Sequence, residues 1–244
     1  MLWSPVVGAG LAFVTAAVLF GARDIFPGGS LWVHGTHLEL FEAPELAAAV
    51  AIAALALLTR GLHLDGLVDT VDGLASRRPA PEALEVMREG TVGALGAVVV
   101  GFTLLLDVFA LAVSIAEHHG TQAVVVSVLT GRLAMLWACT PGNRPARATG
   151  MGALVAETVD RRTALVWTAV ILAGAIVFGR FDTEVGSLHG AVRAGVAVLL
   201  SLGVTWVVRR HAIRRLGGIT GDVLGALCEI ATLVSLLTLA AGRA

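Results

Sequence analysis

The chain has 244 residues, of which 57% are hydrophobic and 14% charged, with a formal net charge of −1 and a mean hydropathy of +0.86. These values place it among polytopic membrane proteins and exclude a nucleic-acid binder, which needs a basic surface. All 17 basic side chains are arginine, so Schiff-base catalysis and a lysine-dependent phosphate loop are excluded as well.

A membrane-crossing helix needs roughly 20 mostly apolar residues. Seven stretches reach that length, over about 4–21, 45–62, 93–116, 121–141, 163–179, 190–208 and 221–241. They are rich in Ala, Val, Leu and Gly, and the small residues let helices approach closely. No connection between them is long enough for a soluble domain. The expected fold is therefore all-α, a single membrane domain over residues 1–244 with about seven transmembrane helices in one bundle. The first span lacks the basic residues that open a secretory signal. Cys139 and Cys228 fall in apolar segments and read as buried free thiols.

The end of the second span carries the first segment with chemistry in it. Residues 63–73 read His-Leu-Asp-Gly-Leu-Val-Asp-Thr-Val-Asp-Gly. Asp65, Asp69 and Asp72 stand at i, i+4 and i+7, one face of a helix. Like charges so placed repel, and oxygen-only ligands suit a hard divalent cation such as Mg²⁺ that bridges carboxylates to phosphates. His63 precedes the motif and could orient a phosphate or act as an acid. Arg77, Arg78 and Arg88 follow, with Glu85 and Glu89 flanking Arg88 on a short amphipathic stretch from Pro81 to Gly90. A guanidinium fork is well shaped for diphosphate oxygens. Within the third and fourth spans, Asp107 and Arg132 are costly unless they face the bundle interior, and they are read as candidate partners.

The last span opens on Arg214-Arg215-Leu216-Gly217-Gly218-Ile219-Thr220-Gly221-Asp222 and continues to Glu229. Asp222 and Glu229, seven apart, share a helix face. Intramembrane carboxylates cost about 2.5–3.5 kcal/mol each and mark functional sites by default. The Gly-Gly-x-Thr-Gly turn is read as leaving backbone N–H groups free for a phosphate at a helix N-terminus. The alternative is an ordinary loop with Asp222 as N-cap.

Loop charge sets the orientation. Three connections hold Arg77, Arg78 and Arg88; Arg144, Arg147, Arg161 and Arg162; and Arg209, Arg210, Arg214 and Arg215. The opposite side holds Asp24, Glu39, Glu42, Glu117, Asp182 and Glu184. The positive-inside rule then places the arginine-rich connections, the N-terminus and the aspartate motif on the cytoplasmic side, and the C-terminus outside. His34, His37, His118 and His119 read as polar residues of the external loops. The five tryptophans read as interfacial anchors.

Taken together, these residues resemble the cobalamin synthase family, also called adenosylcobinamide-GDP ribazoletransferase. Its hallmark segment, His-x-Asp-Gly-x-x-Asp-Thr-x-Asp-Gly, is matched from His63 to Gly73. The stretch from Glu85 to Gly96 and the ending from Leu216 to Glu229 match further family segments, and Arg132 with Arg147 and Gly150-Met151-Gly152 is similar too. Two features depart from the family pattern. Its members usually begin with a further segment ahead of the Pro-x-x-Gly helix, which starts here at Pro5. The usual Met-Arg-Asp reads Met87-Arg88-Glu89.

The resemblance implies a transferase of phosphorus-containing groups acting late in cobalamin biosynthesis. Its partners would be adenosylcobinamide-GDP, α-ribazole or its 5′-phosphate, and the bilayer of the cell (inner) membrane, with a homo-oligomer or other cobalamin-assembly enzymes as open alternatives for its assembly. The expected roles follow. Asp65, Asp69 and Asp72 hold Mg²⁺ on the diphosphate, one of them being a candidate base. Asp222 and Glu229 complete the metal shell or orient the ribazole hydroxyl. His63, Arg88, Arg132, Arg215, Gly218 and Thr220 contact substrate.

Competing readings fit less well. A CDP-alcohol phosphotransferase shares the Asp-x-x-Asp-Gly element, but here Ala75 is followed by Ser76 and the later aspartates are missing. An aspartate-rich prenyltransferase would carry a second Asp-rich loop. A coupled transporter would show paired repeats with broken helices near the bilayer centre.

Overall fold

The structure, a computed structural model, describes residues 1–26, 29–33, 36–41, 44–181 and 187–241. His34, Glu42, Asp182 and Glu184 lie outside the described residues. Ten helices are described: α1 (Ser4–Ile25), α2 (Pro44–Leu58), α3 (Leu62–Ala75), α4 (Ala80–Val86), α5 (Ala94–Ala116), α6 (Gly120–Ala138), α7 (Met151–Val155), α8 (Arg161–Gly179), α9 (Ser187–Leu216) and α10 (Gly221–Ala240). Six of them, α1, α5, α6, α8, α9 and α10, are each long and apolar enough to cross a membrane. The bent pair α2 and α3 makes a seventh crossing when taken as one span. The polytopic helical fold is as expected, with one addition: between α1 and α2, strands β1 (Gly29–Val33) and β2 (Thr36–Phe41) form an antiparallel hairpin.

Helix α6 is the centre of the bundle. It is buried on nearly every side, and α1, α5, α8, α9 and α10 all pack against it. Outer helices keep apolar side chains exposed, among them Phe13 and Phe20 on α1 and Val166 and Val170 on α8. In water such surface would be a liability; against lipid it is the required exterior. Local chemistry fixes the helix starts. The Asp160 carboxylate accepts the Thr163 N–H at 2.8 Å and caps α8, and the Thr220 hydroxyl accepts the Val223 N–H at 3.1 Å and caps α10.

The chain alternates between two faces as the arginine pattern requires. On one face, Pro145 bridges Ile219 and the Arg147 guanidinium donates to the Leu84 carbonyl, joining the connections around 59–93, 139–160 and 217–220. On the other, the His119 ring meets the Leu239 carbonyl at 3.2 Å and Gly179 packs on the Gly190 backbone.

Two boundaries differ from the sequence reading. The second span does not run on to 62. Helix α2 stops at Leu58, and α3 leaves it at 85°. The break is a C-terminal lock: the Arg60 N–H reaches the Leu57 carbonyl at 2.9 Å and the Gly61 N–H reaches the Ala56 carbonyl at 2.8 Å. Arg60 and Gly61 take φ of 55° and 69°, the left-handed pair that ends a helix in a Schellman turn. Helix α9 in turn runs 30 residues, so Arg209, Arg210, Arg214 and Arg215 continue the helix rather than forming a loop.

Candidate active site

The motif helix α3 and the start of α10 cross in near-contact, and two glycines make this possible. A β-carbon on Gly66 would stand 2.7 Å from the Asp222 carbonyl oxygen, and one on Gly225 would stand 3.1 Å from the His63 Cα. With one small residue on each helix, the two backbones approach as closely as small-residue packing allows. The crossing joins the two acidic segments that the sequence keeps far apart. Asp69 lies half-buried within electrostatic reach of Asp65, Asp222 and Asp72. Arg147 is the cation that both Asp69 and Asp222 feel.

Asp72 has a different surrounding from its two neighbours. Its Oδ2 accepts the Gly93 N–H at 2.8 Å and its Oδ1 accepts the Gly96 N–H at 2.9 Å. Gly93 is the N-cap of α5 and has no side chain to cap it, so Asp72 supplies the cap from another helix, where the helix dipole favours an anion. A β-carbon at either glycine would come to 2.5 Å of an Asp72 oxygen, so the carboxylate would have to move off its amide partners. The three aspartates of the motif therefore differ in their surroundings. Asp65 and Asp69 share their surroundings with Asp222, whereas Asp72 ties α3 to α5.

Deeper along the same crossing lies a second cluster. His63 Nδ1 is 3.8 Å from Glu229 Oε1, with both side chains largely covered. Ligand atoms of His63, Cys228 and Glu229 lie within 4.8 Å of one another. Arg132 is 5% exposed, donates to the Cys228 sulfur, and stands in electrostatic range of His63 and Glu229. It does face the bundle interior. Asp107 is not its partner; that buried carboxylate has Glu229 as its charged neighbour instead, and its Oδ1 has no hydrogen-bond partner among the described residues.

The remaining candidates are placed as follows. Arg88 is exposed and forms a surface ion pair with Glu85 at 3.1 Å. Arg215 is half-buried at the end of α9. Gly218 is pressed against the Arg144–Ala146 backbone, where a β-carbon would meet three atoms at 2.5 Å. Thr220, and not Asp222, caps α10. The turn is less open than its glycines suggest: the Gly217 N–H bonds to Ile213 and the Ile219 N–H to the Arg144 carbonyl at 2.8 Å. Cys139 and Cys228 are free and buried, as expected.

Arg147 is the residue that sequence reasoning underused. Besides its place among the arginines that set topology, its guanidinium donates to the Leu84 carbonyl and stands in electrostatic range of Asp69 and Asp222. The signal was its place just ahead of the Gly150-Met151-Gly152 turn, whose Gly152 packs on the Ile219 carbonyl.

Comparison with known proteins gives a consistent result. The sequence profile of the family described as Cobalamin-5-phosphate synthase matches residues 1–240. A protein of Frankia casuarinae named adenosylcobinamide-GDP ribazoletransferase is 42% identical over 242 residues, covering 98% of this chain and 84% of that protein. Proteins of the same name from Stutzerimonas stutzeri and a Nocardioides species are 35% and 34% identical, covering 91% and 99% of this chain and 84% and 86% of their own lengths. No solved structure matches significantly. The chain belongs to the cobalamin-5-phosphate synthase family.

Proposed function

We propose, from that membership, that the chain is an adenosylcobinamide-GDP ribazoletransferase, joining adenosylcobinamide-GDP to α-ribazole or its 5′-phosphate with release of GMP. The observation that carries the reading beyond the family name is the α3–α10 crossing, which brings Asp69 into electrostatic range of Asp65, Asp222 and Arg147. In the reaction a ribazole hydroxyl oxygen attacks a diphosphate phosphorus. The bond from that phosphorus to the GMP oxygen breaks, GMP leaves, and the hydroxyl proton passes to a carboxylate.

The donor set fits Mg²⁺: carboxylate oxygens only, in excess over the nearby cation, as a hard ion prefers. Asp65, Asp69 and Asp222 would hold it, and when bound it neutralises the non-bridging phosphate oxygens. Arg147 adds a fixed positive charge on the same side. Asp72 keeps α3 docked on the start of α5, which fixes where Asp65 and Asp69 stand. Glu229 and His63, held by Arg132, orient the attacking hydroxyl. Arg215 is available to phosphate oxygens. Arg88 would have to leave Glu85 to serve the same way.

The positive-inside rule supports a cytoplasmic site in the cell membrane, because two arginine-rich connections and the arginine-rich end of α9 lie on the carboxylate face. The test is GMP release by the purified chain in liposomes given adenosylcobinamide-GDP, α-ribazole and Mg²⁺. The wild type should release GMP and Asp69→Asn should not. No release above that control overturns the reading.

A further inference from the structure

A second charged feature lies away from the carboxylates, on the other side of α10. A cavity of about 830 Å³ opens between α6, α9 and the turn that follows α6. Leu227 lines it from α10. On a 3.6-residue helix Leu227 points about 140° from Asp222 and about 160° from Glu229, so this cavity is not an extension of the candidate active site.

Helix α9 builds one wall with a continuous stripe. Leu202, Trp206, Arg209, Arg210, Ile213 and Arg214 all line the cavity, at the i, i+4, i+7, i+8, i+11 and i+12 spacing of one helix face. From Leu202 to Arg214 the stripe runs about 18 Å and changes character along its length. Its inner end is apolar, with Leu202, Gly203 and Ala134; a pair of tryptophans, Trp137 and Trp206, stands midway; its outer end is arginine.

Four arginines, Arg161, Arg209, Arg210 and Arg214, line the cavity, and no carboxylate does. Two acids close by have partners of their own: Glu157 accepts the N–H of Gly142, a lining residue, at 2.8 Å, and Asp160 caps α8. The arginines are also arranged. Arg209 donates to the Trp137 carbonyl at 2.7 Å, Arg161 reaches the Pro141 carbonyl at 3.3 Å, and the Arg210 guanidinium lies 5.0 Å from the Trp206 ring centre. Four cations gathered at the end of membrane helices, in excess of the carboxylates beside them, call for an anion. A gradient from apolar through tryptophan to arginine matches a molecule with a chain at one end and a phosphate at the other.

We propose that this cavity is a binding site for an anionic phospholipid, with the headgroup phosphate among Arg161, Arg209, Arg210 and Arg214 and an acyl chain along Leu202 and Gly203. A soluble phosphate would use only the outer end and leave the apolar end empty. The proposal is independent of the ribazoletransferase reading, because it concerns residues outside the carboxylate cluster.

The test uses the full chain, delipidated in detergent, with native mass spectrometry and melting temperature as readouts. Added phosphatidylglycerol should bind and raise the melting temperature by several degrees, whereas phosphatidylcholine and inorganic phosphate should not. Two variants probe the two ends. Arg210→Gln with Arg214→Gln removes headgroup charge from exposed positions. Gly203→Leu fills the apolar end, where nothing lies within 4 Å of a β-carbon. Each should weaken phosphatidylglycerol binding about tenfold while the unliganded melting temperature stays near that of the wild type. Equal binding of the two lipids, displacement of phosphatidylglycerol by inorganic phosphate, or wild-type affinity in either variant overturns the proposal.

Discussion

Gly66 lies directly on the backbone of Asp222: a β-carbon there would stand 2.7 Å from the Asp222 carbonyl oxygen and 3.0 Å from its Cα. Backbone cannot swing aside as a flexible side chain can. Gly66→Ala must therefore push α3 off α10, at a cost of about 1–3 kcal/mol for an overpacked contact. The two halves of the carboxylate cluster would separate with it. GMP release should fall more than tenfold while the protein still inserts in the membrane. A variant with near-wild-type release would show that the crossing does not set the site.

Asp72 and Asp69 should separate cleanly in a Mg²⁺ titration. Asp72→Asn loses two charge-assisted bonds to the Gly93 and Gly96 amides, each worth about 1.5–3 kcal/mol, so its melting temperature should drop. Its half-saturating Mg²⁺ concentration should stay near the wild-type value. Asp69→Asn should do the reverse, with a Mg²⁺ requirement raised at least tenfold and a melting temperature unchanged or higher, because one of several like charges is gone. Equal Mg²⁺ shifts in both variants would return Asp72 to the metal.

Arg147→Gln removes the positive charge beside Asp69 and Asp222. Without it a divalent ion meets a more negative cluster and should bind more tightly. Activity should nevertheless fall about tenfold or more, since a charge facing the phosphate oxygens is lost. Tighter Mg²⁺ with slower turnover is the pattern to look for in steady-state GMP release. A loss of both would mean that Arg147 acts only by tying its loop to Leu84.

The membrane architecture was legible in the sequence and the site only partly so, for identifiable reasons. Lipid forces long apolar runs and alternating loop charge, and both can be read locally. The break after Leu58 is easily passed over because only Thr59, Arg60 and Gly61 interrupt the apolar pattern before Leu62. The extra turns of α9 are hidden because arginines on a helix and in a loop have the same hydropathy. Asp72 could not be told from Asp69 by spacing, since the difference lies in amides 21 and 24 residues away. Asp107 and Arg132 were paired on polarity alone; depth along two helices decides such a pair, and the structure puts Arg132 on Cys228.

Topology can be checked through cysteine labelling, because Cys139 and Cys228 are buried. Arg162→Cys and Phe181→Cys place exposed thiols at opposite ends of α8. A membrane-impermeant maleimide should label the first only in inside-out vesicles and the second only in right-side-out ones. The opposite pattern would put the carboxylates outside the cell.

The turn at Gly61 also determines how deep the chemistry sits. Helix α2 has 15 residues, so it rises about 22 Å, some 8 Å less than a typical hydrocarbon core of about 30 Å. A helix this short is matched to its surroundings by thinning of the lipid around it. Helix α3, turned 85° from α2, carries the carboxylates across the end of that short helix and not beyond it. Turnover in liposomes should then vary with acyl-chain length, fastest in bilayers thin enough to match α2; the same GMP-release rate across chain lengths would break that link.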